Sequence, residues 1–221
     1  MSVWIKICGI TNIEDARVAA KSGADYLGFI FFKDSPRAIT PETANGIVNL
    51  LKIEFTATTP KFVGVFVNEA VPVIKEVMAY CHLDLVQLSG EEPPDVLEKL
   101  GNKVYKAIRP KSIEEAVEQA AKYLPHAPAE LHHPALLVDA YHPELRGGTG
   151  EEADVAVVNK LKESTSRLML AGGLTPDNVA EKVRTLKPFA VDVASGVEAE
   201  KGKKDHEKVR QFITNVRAVI L

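Results

Sequence analysis

The chain has 221 residues, 46% hydrophobic and 26% charged, a composition that supports one globular core or two small ones. Its formal net charge is −3 and its lysines and arginines are scattered, which excludes the basic stripe of a nucleic-acid binder but leaves room for a local anion site. The longest apolar run, YLGFIFF at 26–32, is too short to cross a bilayer and the first residues lack a secretory pattern, so no membrane partner and a cytoplasmic location are expected.

In chain order, VWIKI (3–7) predicts a strand and NIEDARVAAKSG after it a helix opened by asparagine. DYLGFIF (25–31) and KFVGVFV (61–67) are the next strands, with PETANGIVNLLK between them placing proline in its first turn. PVIKEVMAYC leads to DLVQL (84–88), and a short PDVLEKL to KVYKAI (103–108). SIEEAVEQAAKYL precedes ALLVDA (135–140); RLMLA (167–171), PDNVAEKVRTL, FAVDVA (189–194) and DHEKVRQFITNVRAVI complete the series. Eight such units predict a single (β/α)8 barrel spanning 1–221, since a doubly wound open sheet more often has five to seven strands.

Two segments, EFTATTP (54–60) and PHAPAELHHPA (125–135), carry turn formers without periodicity. Both precede strands and belong on the face that stabilises a barrel. YHPELRGGTGEE (141–152) follows a strand, which puts it on the catalytic face, where its glycines predict a moving lid. The histidines at 82, 126, 132, 133, 142 and 206 fall on no strand tip and are read as solvent-facing, so no metal is expected. Cys8 and Cys81 are too few for a disulfide framework and suit a reducing compartment.

Barrel enzymes work at the C-terminal ends of their strands, which here present Cys8, residues 33–37, Asn68, Ser89, Arg109, Asp139, the pair Gly172 and Gly173, and Ser195 with Gly196. Cys8 is either a small buried residue or, with its pKa lowered by a following helix, a base or nucleophile. Asp139 closes the apolar ALLVD; desolvation could keep it protonated, or loop N–H groups could hold it as a carboxylate. Arg37 is a surface side chain or a bidentate partner for a carboxylate. The glycines after the last two strands make tight turns or bare the backbone to a phosphate, and two such turns side by side favour phosphate.

In order along the chain, KICGIT, the SPR of KDSPRAITPETA, FVGVFVN, DLVQLSGEE, RGGTG, LAGGLTPDNV and VDVASGVE followed by GKKD resemble the phosphoribosylanthranilate isomerase family. The resemblance covers residues 6 to about 205. It implies a (β/α)8 enzyme of tryptophan biosynthesis that converts N-(5-phosphoribosyl)anthranilate to its 1-deoxyribulose phosphate isomer by an Amadori rearrangement, without cofactor or metal. It implies Cys8 as general base, Asp139 as general acid and Arg37 facing the anthranilate carboxylate. Gly172, Gly173, Ser195 and Gly196 would hold the phosphate, and Asp192 and Gln87 are assigned to substrate binding.

Three departures stand out: Ala194 and Lys201 replace the family's usual serine and proline, and Ser89 replaces a histidine near the substrate. Aminoimidazole carboxamide ribotide isomerase performs the same rearrangement with paired aspartates, whereas here a cysteine ends the first strand. A catalytically silent phosphate-binding barrel is the reading from another class. The oligomeric state is not legible in the sequence.

Overall fold

The computed structural model describes residues 3–139 and 149–220, the side chains at 149–154 excepted. Eight parallel strands close into a barrel in sequence order: β1 (Trp4–Cys8), β2 (Tyr26–Ile30), β3 (Lys61–Phe66), β4 (Leu85–Leu88), β5 (Val104–Ile108), β6 (Leu136–Asp139), β7 (Leu168–Ala171) and β8 (Ala190–Val193). The helices between them are α1 (Ile13–Lys21), α2 (Pro41–Glu54), α3 (Val71–Tyr80), α4 (Pro94–Leu100), α5 (Ile113–Tyr123), α6 (Thr149–Ser164) and α7 (Pro176–Leu186), with α8 (His206–Arg217) closing the series. A small antiparallel pair, β9 (Glu198–Glu200) and β10 (Lys203–Lys204), stands between β8 and α8.

The helix starts follow from their cap residues. Asn12 accepts from Asp15 N, Ser112 from Glu115 N, and Asp205 from Glu207 N and Lys208 N, each satisfying an orphan donor of the first turn. α3 and α4 have no side-chain cap but carry proline in their first turn.

Strand alternation divides the apolar residues into two cores. Outward-facing Ile5, Ile7, Leu27, Phe29, Phe62 and Val86 pack beneath the helices in the larger cluster. Inward-facing Tyr26, Val63, Leu85, Tyr105, Leu137 and Met169 form a smaller cluster inside the barrel, floored by Trp4, whose ring stacks on Phe189 with centroids 6.1 Å apart. β1 therefore sends Trp4, Lys6 and Cys8 up the interior in three successive layers. Register places Lys6 beside Asp192 of β8, and Cys8 beside Gly28 of β2.

The segments at 54–60 and 125–135 lie at the N-terminal ends of β3 and β6, as expected. The second is tied down by Tyr26, whose hydroxyl donates to His132 O at 2.6 Å, and by Arg167, which donates to the carbonyls of Glu130 and His133. Here one expectation fails. His132 is exposed and packs beside Trp4, but His133 is buried, only 4% accessible, because neighbouring residues of a loop folded over the barrel end face opposite ways. Of the other described histidines, His82 is exposed, while His126 and His206 are half-buried against Glu98 and Asp15.

Only the end of the predicted lid at 141–152 is described. Its residues through 148 and His142 lie outside the described residues, and 149–152 form the start of α6, where an acidic sequence suits the positive end of a helix.

Candidate active site

A cavity of about 370 Å³ opens at the C-terminal ends of the barrel strands. Cys8 of β1 and Asp139 of β6, three strands apart around the barrel, both line it, as do Gln87 of β4 and Asp192 of β8. Gly172 and Gly173 after β7, and Ser195 and Gly196 after β8, also border it. The structure thus gathers Cys8, Gln87, Asp139, Asp192, Gly172, Gly173, Ser195 and Gly196 into one cavity lining, whereas Arg37 and Asn68 are not part of it.

The two glycine turns are built to lie close together. Gly172 and Gly173 have φ of 93° and 62°, a left-handed conformation that bulkier residues adopt only with strain. Residues Ser195–Val197 form a 3-10 turn, and a Cβ on Gly196 would collide with the Leu174 carbonyl. The turns consequently present backbone rather than side chain to the cavity.

Arg37 is half-buried beside the site. Its Nε and Nη2 donate to Glu198 Oε1 and Oε2, both at 2.7 Å, a bidentate pair that leaves the outer edge of the guanidinium uncommitted to Glu198. Its stem covers Gly9, whose φ is 75°; a Cβ there would lie 2.8 Å from Arg37 Cδ. Lys204 Nζ shares Glu198, at 3.2 Å from Oε1, and donates to Ala194 O at 3.0 Å.

Asp139 is not embedded in hydrocarbon as the apolar run before it suggested. Its side chain is 26% accessible, and exposed Arg109 of the following loop donates to its Oδ2 from Nε at 3.0 Å. Apolar neighbours in a strand alternate in direction, so sequence proximity does not surround the last residue.

The thiol also departs from expectation. α1 begins five residues after Cys8, and burial pushes the thiol above its ordinary value rather than below it. Lys6 opposes that effect most strongly, Asp192 adds to it, and Lys204 again opposes it.

Lys6, which strand-tip reading passed over, is fully buried under the cavity floor. Its Nζ donates to Gln87 Oε1 at 2.7 Å and Asp192 Oδ2 at 3.2 Å. Gln87 Oε1 also accepts from the Tyr105 hydroxyl at 2.9 Å, and Gln87 Nε2 donates to Ser89 Oγ at 3.0 Å. The serine at the usual histidine position thus fixes this amide. Asp192 Oδ1 is buried without a partner, a costly arrangement that a ligand hydroxyl would relieve.

The β4–α4 loop carrying Ser89 is pinned by Lys106, which pairs with Glu92 at 3.1 Å and donates to Gly90 O at 2.6 Å. Among the described residues, no group of three or more His, Cys, Asp or Glu is arranged to hold a metal ion.

The model of the family described as N-(5′-phosphoribosyl)anthranilate (PRA) isomerase matches residues 5–215. The chain belongs to that family. It is 45% identical over 221 residues to the N-(5′-phosphoribosyl)anthranilate isomerase of Trichlorobacter lovleyi, covering 99% of this chain and 100% of the relative. The Geobacter sulfurreducens protein of the same name is 44% identical, covering 97% and 98%.

Among solved structures, phosphoribosyl anthranilate isomerase from Thermotoga maritima superposes with a TM-score of 0.84 at 39% identity, covering 98% of this chain and 100% of that one. A further phosphoribosyl anthranilate isomerase, solved with reduced 1-(o-carboxyphenylamino)-1-deoxyribulose 5-phosphate, has a TM-score of 0.82 at 37% identity, with coverage of 98% and 100%. Membership of the PRA isomerase family thus joins the (β/α)8 barrel as a result.

Proposed function

We propose that this cavity isomerises N-(5′-phosphoribosyl)anthranilate to 1-(o-carboxyphenylamino)-1-deoxyribulose 5-phosphate, a step of tryptophan biosynthesis, with Asp139 as general acid and Cys8 as general base. The observation that carries the assignment is that this carboxyl and this thiol, from strands three apart around the barrel, line one cavity. The family and the product-like ligand of a structural neighbour supply the substrate's identity.

The furanose oxygen leaves as an alkoxide unless protonated, so protonated Asp139 donates to O4′ as the C1′–O4′ bond breaks and the anilino nitrogen forms the C1′=N double bond. The imine acidifies C2′–H. Cys8 as thiolate removes that proton, its bonding pair becomes C1′=C2′ while the C1′=N π pair returns to nitrogen, and the resulting enol then tautomerises to the ketone. One proton must pass from thiol to carboxylate to reset the enzyme, and the step balances without a cofactor.

Binding at both ends of the substrate positions the sugar. The glycine turns at 172–173 and 195–196 take the phosphate, the uncommitted edge of Arg37 takes the anthranilate carboxylate, and Asp192 Oδ1 accepts from a ribose hydroxyl. Gln87 is held by Lys6, Tyr105 and Ser89 and forms part of the wall. We read residues 1–221 as one catalytic domain acting in the cytoplasm, where Cys8 stays reduced; among the described residues no helix is long and apolar enough to cross a membrane.

The test is kcat in purified Cys8→Ala and Asp139→Asn, followed by loss of the substrate's anthranilate fluorescence. Each should fall at least about a hundredfold, within the range of general acid–base catalysis. Near-normal turnover in either folded variant removes that residue from the mechanism.

A further inference from the structure

We propose that Lys6 is a positioning residue whose buried ammonium, directly below Cys8 on the same face of β1, offsets the cost of forming a thiolate there when Cys8 takes up the C2′ proton. This rests on the assignment of Cys8 as base and names what makes a buried thiol serviceable as one.

The geometry starts from strand alternation, which puts residues two apart on one side. Gly28 of β2 faces both: a Cβ there would lie 2.7 Å from Cys8 Sγ and 3.1 Å from Lys6 Cε, so the sulfur and the end of the lysine stem border one small space that glycine leaves open. Lys6 is held upright there by Gln87 Oε1 and Asp192 Oδ2. Gln87 cannot turn away without losing Tyr105 and Ser89 as well.

A buried ion pair such as Lys6–Asp192 gives little net stability over an apolar pair of similar volume, so stability alone is a weak reason for a lysine inside a barrel. An uncompensated thiolate in the same place would be costly, and a fixed cation below it offsets that cost.

The other charges facing the thiol are otherwise engaged. Lys204, from β10, and Arg37, from the loop after β2, both pair with Glu198. Asp192, from β8, opposes the thiolate, and Tyr105, from β5, is a neutral phenol. Lys6 keeps its proton throughout, because Asp192, Cys8 and Tyr105 together outweigh its desolvation. A substrate hydroxyl donating to the unpartnered Asp192 Oδ1 would draw that carboxylate's charge away from Cys8 and leave the lysine's field less opposed.

The experiment measures alkylation of Cys8 by iodoacetamide against pH. It uses a Cys81→Ala background, which removes the second thiol, itself held at about 11 by burial. Lys6→Met alone strands Asp192 as an unpaired buried charge, so the decisive comparison is Asp192→Asn against Lys6→Met with Asp192→Asn, a pair that leaves neither partner charged.

Adding Lys6→Met should raise the alkylation midpoint by at least about one pH unit, a tenfold loss of thiolate below the midpoint. Measured against Asp192→Asn alone, Lys6→Met with Asp192→Asn should also lower kcat/KM in a way that recovers as pH rises, with KM nearly unchanged. An unmoved midpoint in the double variant overturns the proposal, as does a further activity loss in it that is the same at every pH. Active Cys8→Ala would instead remove Cys8 as base, an outcome the alkylation midpoint does not share.

Discussion

Gly28 gives the sharpest test of how the thiol is placed. Its carbonyl accepts from Gly9 N at 2.9 Å and Ile10 N at 3.0 Å, so β2 is locked to the segment just beyond Cys8 and cannot back away. In Gly28→Ala the new methyl would stand 2.7 Å from Cys8 Sγ and 3.1 Å from Cys8 Cα. An ordinary non-bonded contact is about 3.5–4.0 Å, so the sulfur must retreat by about 0.8 Å or more.

Overpacking of this kind costs roughly 1–3 kcal/mol, or on the order of 2–12 °C in Tm for a chain of this size. A displacement near 1 Å at a reacting group costs about a hundredfold in rate. Gly64→Ala is the control: its methyl would stand 2.7 Å from Leu83 Cδ1 and from the Phe66 ring, in the outer core and away from the cavity. Scanning calorimetry should show comparable destabilisation of both variants, while substrate-fluorescence kinetics should show kcat falling about a hundredfold in Gly28→Ala and staying near normal in Gly64→Ala. A stable Gly28→Ala enzyme with unaltered kcat, or equal losses in both, would refute the claim that this glycine sets the sulfur's position.

Two further outcomes are expected. Gly196→Ala forces a methyl into the Leu174 carbonyl and within 3.3 Å of Thr175 Cα, spreading the two turns assigned to phosphate. KM should rise at least about tenfold with a smaller change in kcat, as for lost uniform binding; an unchanged KM would move the phosphate elsewhere. His133 concerns pH and stability. Burial pushes its imidazole below the ordinary value, so the unfolded chain binds the proton more readily than the folded one. Its contribution is complete above the unfolded value of about 6.5 and is lost as pH falls below that toward the folded value. Urea titrations from pH 8 down to pH 5 should therefore show His133→Phe losing less stability than the parent chain; parallel losses would assign the acid sensitivity to other groups.

Much of this was legible because short β-branched runs and capped amphipathic segments alternate without interruption. The strand tips therefore fell within a residue of their observed places, and Cys8, Ser89, Arg109, Asp139 and the two glycine turns drawn from them line the cavity, although Asn68 does not. What could not be read were the partners. Arg37 and Glu198 lie 161 positions apart, and Lys6 and Asp192 lie 186 apart, so nothing local joins them.

Lys6 did leave a trace. In WIKIC it alternates with Trp4 and Cys8, and a lysine on the inward side of a barrel strand must find a buried carboxylate or amide. The Asp139–Arg109 pair had both members among the strand tips but no signal to link them. His133 shows the limit of classing a segment by composition: polar residues in a loop still alternate between water and protein.

The pairing of β1 with both β2 and β8 has a consequence for assembly. The lysine–aspartate contact spans the seam where the first strand meets the last, so the electrostatic surroundings of the sulfur exist only once the ring has shut. A chain that has formed its helices and most of its sheet still has no working reaction chamber. Recovery of turnover during refolding would accordingly time the final docking across that seam, whereas circular dichroism would time the earlier events.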